Sequence, residues 1–178
     1  MYKRQFPLIA KERKGEGGKN QSIIENQRDL DYYMEKYPNH IFQELIQGKE
    51  FSVDLFANAN GVPKLIVPRE RLSVRGGEVM KSRIDINKSI IVSVEALSRR
   101  LGLTGPCNIQ GIQDENGTFF FTDLNLRFGS GSVHTIAAGG NIPLMIYQEM
   151  VGQNFLNPSI QDKSIMTRYP ENIFYHPQ

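Results

Sequence analysis

The sequence predicts an α+β fold, and three observations carry that prediction. Residues 41–85 and 107–125 hold strand-like runs with period-two alternation. Asn60-Gly61 and Asn116-Gly117 fall between such runs, and Asn-Gly is the strongest short hairpin signal. One long amphipathic helix stands out over residues 89–101. Runs of hairpin strands with a few helices, rather than regular strand–helix alternation, indicate α+β.

In chain order, residues 6–13 read as a strand with an apolar centre that ends in charge. Residues 14–20 form a loop rich in Gly and Lys. Glycine lets backbone N–H groups approach phosphate oxygens, and lysine supplies charge. A plain turn accounts for the same composition, and the loop matches neither the P-loop nor the dinucleotide fingerprint. Residues 29–37 form a helix whose Leu30, Tyr33, Met34 and Tyr37 make a core stripe, ended by Pro38 and Asn39. Residues 41–46 are a short apolar strand, and Gln47-Gly48 turns the chain into strand 49–58. There Phe51, Val53 and Leu55 share one face while Glu50, Ser52 and Asp54 share the other. Asn60-Gly61 leads into strand 62–74, with Arg69 and Arg71 on one face, and Gly76-Gly77 leads into strand 79–85. In helix 89–101 the buried stripe is Ile90, Ile91, Val94, Leu97 and Leu101, with Arg99, Arg100 and Gly102 at the C-terminal end. Residues 132–138 and 143–150 read as helices, and a last strand is expected near Ile173–Tyr175.

The chain is organised around residues 107–131. A two-residue turn at Asn116-Gly117 sets Gln110 opposite Asp123 and Asn108 opposite Asn125. These four side chains then share one face, and Ile109, Phe120 and Leu124 take the other, which suits a core. A carboxylate among amide oxygens suits a hard cation such as Mg2+. Arg127 and the glycines after it could hold an anion beside such a cation. A hairpin with an ordinary solvated face gives the same alternation.

The totals narrow the class. A chain of 178 residues fits one domain or two intimate subdomains and buries roughly 70% of its extended surface. No apolar run approaches the roughly 20 residues that span a bilayer, and the N-terminus lacks a signal-peptide apolar region. The lone Cys107 excludes an internal disulfide. A cytoplasmic protein is expected. Net charge is +2, yet residues 1–28 carry seven Lys/Arg against three Glu, and residues 64–88 carry seven against two Glu and one Asp. Two basic stretches in a near-neutral chain suggest a local anion site rather than a nucleic-acid surface.

Taken together the pieces resemble the ATP-grasp superfamily, most closely its carbamoyl-phosphate-synthetase branch. The likeness rests on Pro7-Leu8-Ile9-Ala10-Lys11 followed by loop 15–20, on Phe42-Gln43-Glu44-Leu45-Ile46 followed by Gly48–Asp54, on Val67-Pro68-Arg69-Glu70-Arg71, and on Gly105–Gln110 with Asp123–Gly131. The resemblance implies that Lys11, Gly17 and Gly18 meet ATP phosphates and that backbone groups of Glu44 and Ile46, with Leu45 as a wall, bind adenine. It implies that Glu50 accepts from the ribose and that Gln110, Asp123 and Asn125 hold Mg2+ (or Mn2+). Arg127 would stabilise the phosphoryl group, and Arg69 would face phosphate or acceptor. Residues 1–46 would be part of the small nucleotide-binding subdomain, and residues 47–178 the larger subdomain with the metal hairpin.

The implied activity is an ATP-dependent ligase joining a small carboxylate to an amine or ammonia through an acyl phosphate. The family usually has Glu at Asp123 and Pro at Leu126. It also usually has a preceding α/β domain, so the fold is expected to be incomplete. A partner chain supplying that region, a homodimer, or a non-catalytic fragment that binds a partner are the alternatives this raises; neither nucleic acid nor membrane is implied.

Overall fold

The computed structural model describes residues 6–14, 20–155, 157–169 and 171. The chain divides into two compact units, Met1–Gln47 and Gly48–Gln178. Among the described residues no helix is long and apolar enough to cross a membrane.

In the first unit β1 (Leu8–Glu12) is flanked antiparallel by β2 (Ser22–Ile24) and β3 (His40–Glu44). Helix α1 (Gln27–Lys36) starts where the Asn26 side chain accepts from the Asp29 N–H, a side-chain N-cap. Alternation turns Leu8 and Ala10 towards Ile24 and Leu30, with Phe6, Tyr33 and Phe42 around them. The expected helix stripe is only half realised. Leu30 is fully buried and Tyr33 packs on the core, but Met34 is 49% exposed and Tyr37 closes the helix. Three short strands cover only that narrow stripe, and Tyr37 packs instead between Tyr33 and His40 with tilted rings, at 5.3 and 5.0 Å between centroids. Strand β2 carried no sequence signal.

The second unit is one antiparallel sheet, in the order β8-β7-β4-β5-β6-β9. Its strands are β4 (Lys49–Ala57), β5 (Pro63–Arg75), β6 (Glu78–Ile84), β7 (Gly105–Gln113), β8 (Phe119–Asn125) and β9 (Ile165–Thr167). Helix α2 (Lys88–Leu101) covers one face, burying Phe51, Val53, Leu55, Cys107 and Ile109 against Ile90 and Val94. Leu101, expected in the stripe, is 53% exposed, and Ser98 is buried in its place. The cause is the cap. Gly102 is left-handed (φ 62°), the Leu103 N–H returns to the Ser98 carbonyl, and Leu103 supplies the apolar contact that closes the helix end.

On the opposite face Phe56, Leu65, Val67 and Ile84 pack against Ala138, Ile142 and Met145. These belong to α3 (Ser132–Ala137) and its C-cap, and to α4 (Ile142–Met150). Strand β9 was not anticipated, and the expected strand near Ile173–Tyr175 lies outside the described residues.

Both Asn-Gly turns differ from the two-residue form in the same way. Each is a three-residue loop, Ala59–Gly61 and Glu115–Gly117, with the glycine at positive φ (72° and 83°). The reason is the residue before each loop. Asn58 Oδ1 accepts from the N–H groups of Asn60 and Val62, and Asp114 Oδ1 from those of Asn116 and Thr118. The longer loop displaces pairing by one residue near the tip, so Gly111 faces Phe121 and Ile112 faces Phe120. A bulge at Thr122 then absorbs the offset, and Gln110 still faces Asp123 and Asn108 still faces Asn125. The bulge also corrects the core assignment. Phe119 enters the core, Phe120 shares the face of Ile112, and Leu124 remains 37% exposed.

Candidate functional site

The site face of the second unit is the polar end of the sheet face that also carries α3 and α4. Pairing across β4, β5 and β7 sets Ser52 beside Arg69 and Gln110, and Asp54 beside Asn108. Hairpin β7–β8 adds Asp123 and Asn125 opposite Gln110 and Asn108. Asp123 Oδ1 accepts from the Leu124 N–H at 2.9 Å, and its Oδ2 from Asn125 Nδ2 at 2.8 Å. Asp123 is exposed, and it is the amide nitrogen of Asn125, not its oxygen, that faces the carboxylate. Gln110 Oε1 accepts from Arg71 Nη1 at 3.1 Å, and the same nitrogen stands 3.6 Å from Glu50 Oε2. Arg71 thus bridges Glu50 on β4 and Gln110 on β7.

The described residues contain no group of three His, Cys, Asp or Glu side chains arranged as a metal cage. The oxygen set here is one carboxylate with amide oxygens on an open face. As donor types these suit a hard cation, which would displace Arg71 from Gln110 Oε1 and the Asn125 amide from Asp123 Oδ2 on binding.

Beneath this face lies a buried ionic cluster. The Asp54 and Arg69 side chains are 2% and 1% exposed. Arg69 Nε donates to Asp54 Oδ2 at 2.8 Å and Nη2 to Oδ1 at 3.3 Å. Asn108 Nδ2 donates to Oδ1 at 2.9 Å, and Thr135 Oγ1 to Oδ2 at 2.5 Å. Behind it, His134 Nδ1 shares a hydrogen with Ser82 Oγ at 2.8 Å, and Nε2 lies 3.1 Å from Ser164 Oγ. Burial, then the Arg69 charge, holds the His134 imidazole below its ordinary range. Burial also pushes the Cys107 thiol up, away from thiolate chemistry.

The structure thus brings Gln110, Asp123, Asn125 and Glu50 into one neighbourhood. Arg127 is exposed two residues past Asn125, where its Nη1 donates to the Phe128 carbonyl. Arg69 is committed to Asp54 rather than open to solvent. In the first unit Lys11 is opposite Ile41, on the sheet face away from Leu8 and Ala10. Glu44 ends β3, and the Leu45 N–H donates to the Pro7 carbonyl, so Leu45 and Ile46 follow half-buried. Gly17 and Gly18 lie outside the described residues.

Sequence reasoning missed Asp54 and Thr135 as a buried pair. Asp54 alternates with Glu50 and Ser52 and reads as a solvated strand face. Its burial comes from α3, far away in sequence.

An antiparallel sheet whose hairpin presents oxygen donors, in a chain that also carries a small three-stranded unit, has the layout of an ATP-grasp protein. Solved structures that share it include two with bound nucleotide. One is the biotin carboxylase domain dimer of Hydrogenobacter thermophilus 2-oxoglutarate carboxylase with MgADP, ADP and bicarbonate (TM-score 0.72, 15% identity, 92% of this chain and 41% of that one). The other is Staphylococcus aureus N5-carboxyaminoimidazole synthetase with ADP (TM-score 0.69, 18% identity, 92% and 46%). The chain belongs to the ATP-grasp family described as lying in the biosynthetic pathway with the Ter operon, whose model matches residues 36–172. It is also 24% identical over 154 residues to the carbamoyl phosphate synthase large chain of Clostridium botulinum, a match that takes in 79% of this chain and 14% of that protein.

Proposed function

We propose that this chain is the ATP- and Mg2+-binding portion of an ATP-grasp ligase. It joins a small carboxylate to an amine or ammonia through an acyl phosphate, as in carbamoyl-phosphate-synthetase-like enzymes. The observation that carries the reading is the oxygen set Gln110, Asp123 and Asn125, held on one face by the β7–β8 register beside Glu50. Asp123, Asn125 and Gln110 are the residues that would hold Mg2+ (or Mn2+), which when bound neutralises phosphate charge and leaves phosphorus open to attack.

This chain's own residues do the rest. Lys11 places a point charge on the phosphates, and Gly17 and Gly18 offer backbone N–H groups to them. Backbone groups of Glu44 and Ile46 take the adenine edge, with Leu45 as an apolar wall. Glu50 accepts from the ribose hydroxyls, and Arg71 keeps the Glu50 carboxylate and the Gln110 amide oriented. Arg127 sits close enough in sequence to Asn125 to meet charge developing on the transferred phosphoryl group. Arg69 gives Nε and Nη2, one edge of its guanidinium, to Asp54; its third nitrogen, Nη1, has no hydrogen-bond partner among the described residues and lies against Gly131. Phosphoryl transfer is mostly positioning and charge neutralisation, and this inventory supplies both.

Calorimetric titration of MgATP into the parent protein and Asp123→Ala tests the reading. The parent is expected to bind, and the variant to lose at least about tenfold in affinity, the usual scale for a disturbed metal site. Equal binding by both, or none by the parent, overturns it.

A further inference from the structure

We propose that Asp54 is a positioning residue: its buried carboxylate holds the Arg127–Gly131 segment down on the site face, and so fixes where Arg127 and Asn125 stand. The inference deepens the ATP-grasp ligase reading and rests on it for the meaning of the segment, not for the existence of the clamp.

A buried carboxylate is costly unless its oxygens are fully paired. Those of Asp54 receive four donor hydrogens from three elements: Arg69 on β5, Asn108 on β7 and Thr135 on α3. With its acceptor sites filled, the carboxylate fixes the direction of each donor. Two of those donors form the floor under the segment. A Cβ at Gly129 would stand 2.8 Å from Asn108 Cγ, and one at Gly131 would stand 2.5 Å from Arg69 Nη1. Real Cβ atoms do not approach so closely, so the backbone lies directly on the Asn108 amide and the Arg69 guanidinium.

The third donor, Thr135, ties down the helix that follows the segment. From above, Arg168 Nη2 donates to the Ser130 carbonyl at 2.7 Å, and Ser132 Oγ returns to the Gly129 carbonyl at 2.8 Å. Asn108 in turn is the cross-strand partner of Asn125. Asp54 therefore acts through Asn108 and Arg69, without being placed against the nucleotide.

The test uses the full chain without nucleotide, and amide hydrogen exchange read by mass spectrometry. Asp54→Asn strands a buried guanidinium and risks the fold. Thr135→Val removes one donor at nearly constant shape, and Thr135→Ser keeps the hydroxyl. Expected for Thr135→Val is faster exchange at Gly129–Ser132 by about tenfold, the scale of one hydrogen bond to a charged group. The rate over α2 should stay at the parental value, and Thr135→Ser should match the parent throughout. Trypsin should cut after Arg127 faster in Thr135→Val alone. Parental exchange at Gly129–Ser132 in Thr135→Val, or an equal rise over α2, overturns the proposal.

A second readout is MgATP affinity, expected to weaken by about threefold or more in Thr135→Val and to hold in Thr135→Ser. Unchanged affinity with a loosened segment also overturns the positioning role. If the parent itself binds no MgATP, the ligase reading fails while the exchange comparison still decides the clamp.

Discussion

Asp54 and Arg69 form the kind of buried ion pair that gains little over an apolar pair of the same volume, yet is costly to break. Its surroundings therefore matter as much as the pair. His134, next to Thr135 on α3, has its proton affinity lowered by burial and then by the Arg69 charge, with Asp54 opposing. In the unfolded chain an imidazole takes up its proton near pH 6.5. The folded imidazole takes it up only at lower pH, so between those values the unfolded state binds more protons. Stability then falls as pH drops below 6.5 and levels off once the folded imidazole is charged too. His134→Gln removes that titration while leaving amide groups that can reach Ser82 and Ser164. Thermal melts from about pH 7.5 to about pH 5 should show the parent losing more stability on acidification than the variant. Carboxylates titrate in both proteins, so the difference reports His134. Parallel slopes would show that the histidine is charged at no cost in the fold.

At the scale of elements, hairpin β7–β8 shows how local chemistry reaches the site. Asp114 lengthens the turn, the longer turn displaces the tip pairing, and the Thr122 bulge restores it before Asp123. The displaced stretch places the Phe119 ring over Gly111, where an added Cβ would be 2.3 Å from the ring and 2.6 Å from the Phe120 carbonyl oxygen. Gly111→Ala should therefore destabilise by about 1–3 kcal/mol through overpacking. Adding Phe119→Leu should recover part of that loss by making room, with the carbonyl clash remaining. Denaturant melts in a double-mutant cycle measure this coupling; strictly additive effects would mean that the ring is not what Gly111 accommodates.

The same hairpin sets the limit of what the sequence could convey. Alternation and the Asn-Gly pair were enough to set Gln110 opposite Asp123, because two offsets cancel. They could not assign Phe119 and Phe120 to faces, since that depends on a bulge at an unremarkable Thr. Helix α2 was legible from its period, but Ser98 replaced Leu101 because the cap, not the stripe, decides where the last turn looks. The polar face of β4 was legible as polar. That Asp54 is dry was not, because α3 and β5 make it so.

For the molecule as a whole, each hydrophobic cluster falls inside one unit: Leu8, Ala10, Ile24 and Leu30 in Met1–Gln47, and the clusters around Val53 and Val67 in Gly48–Gln178. The first core is small, and a segment of this length has little surplus stability when it relies on its own burial. Leu30 is its keystone, fully buried and the one buried residue of α1. Leu30→Ala should cost about 2–5 kcal/mol, enough to open a core this small. Hydrogen exchange should then show α1 and β1–β3 amides losing protection, while β4, β5, β7 and α2 keep parental rates. The nucleotide reading sharpens the consequence. The residues proposed to meet phosphate and adenine (Lys11, Glu44, Leu45, Ile46) all lie in this first unit. Leu30→Ala should therefore abolish MgATP binding while leaving the β7–β8 hairpin folded. Loss of protection across both units together would mean that the chain unfolds as one cooperative body, and the division into separately stabilised units would fall.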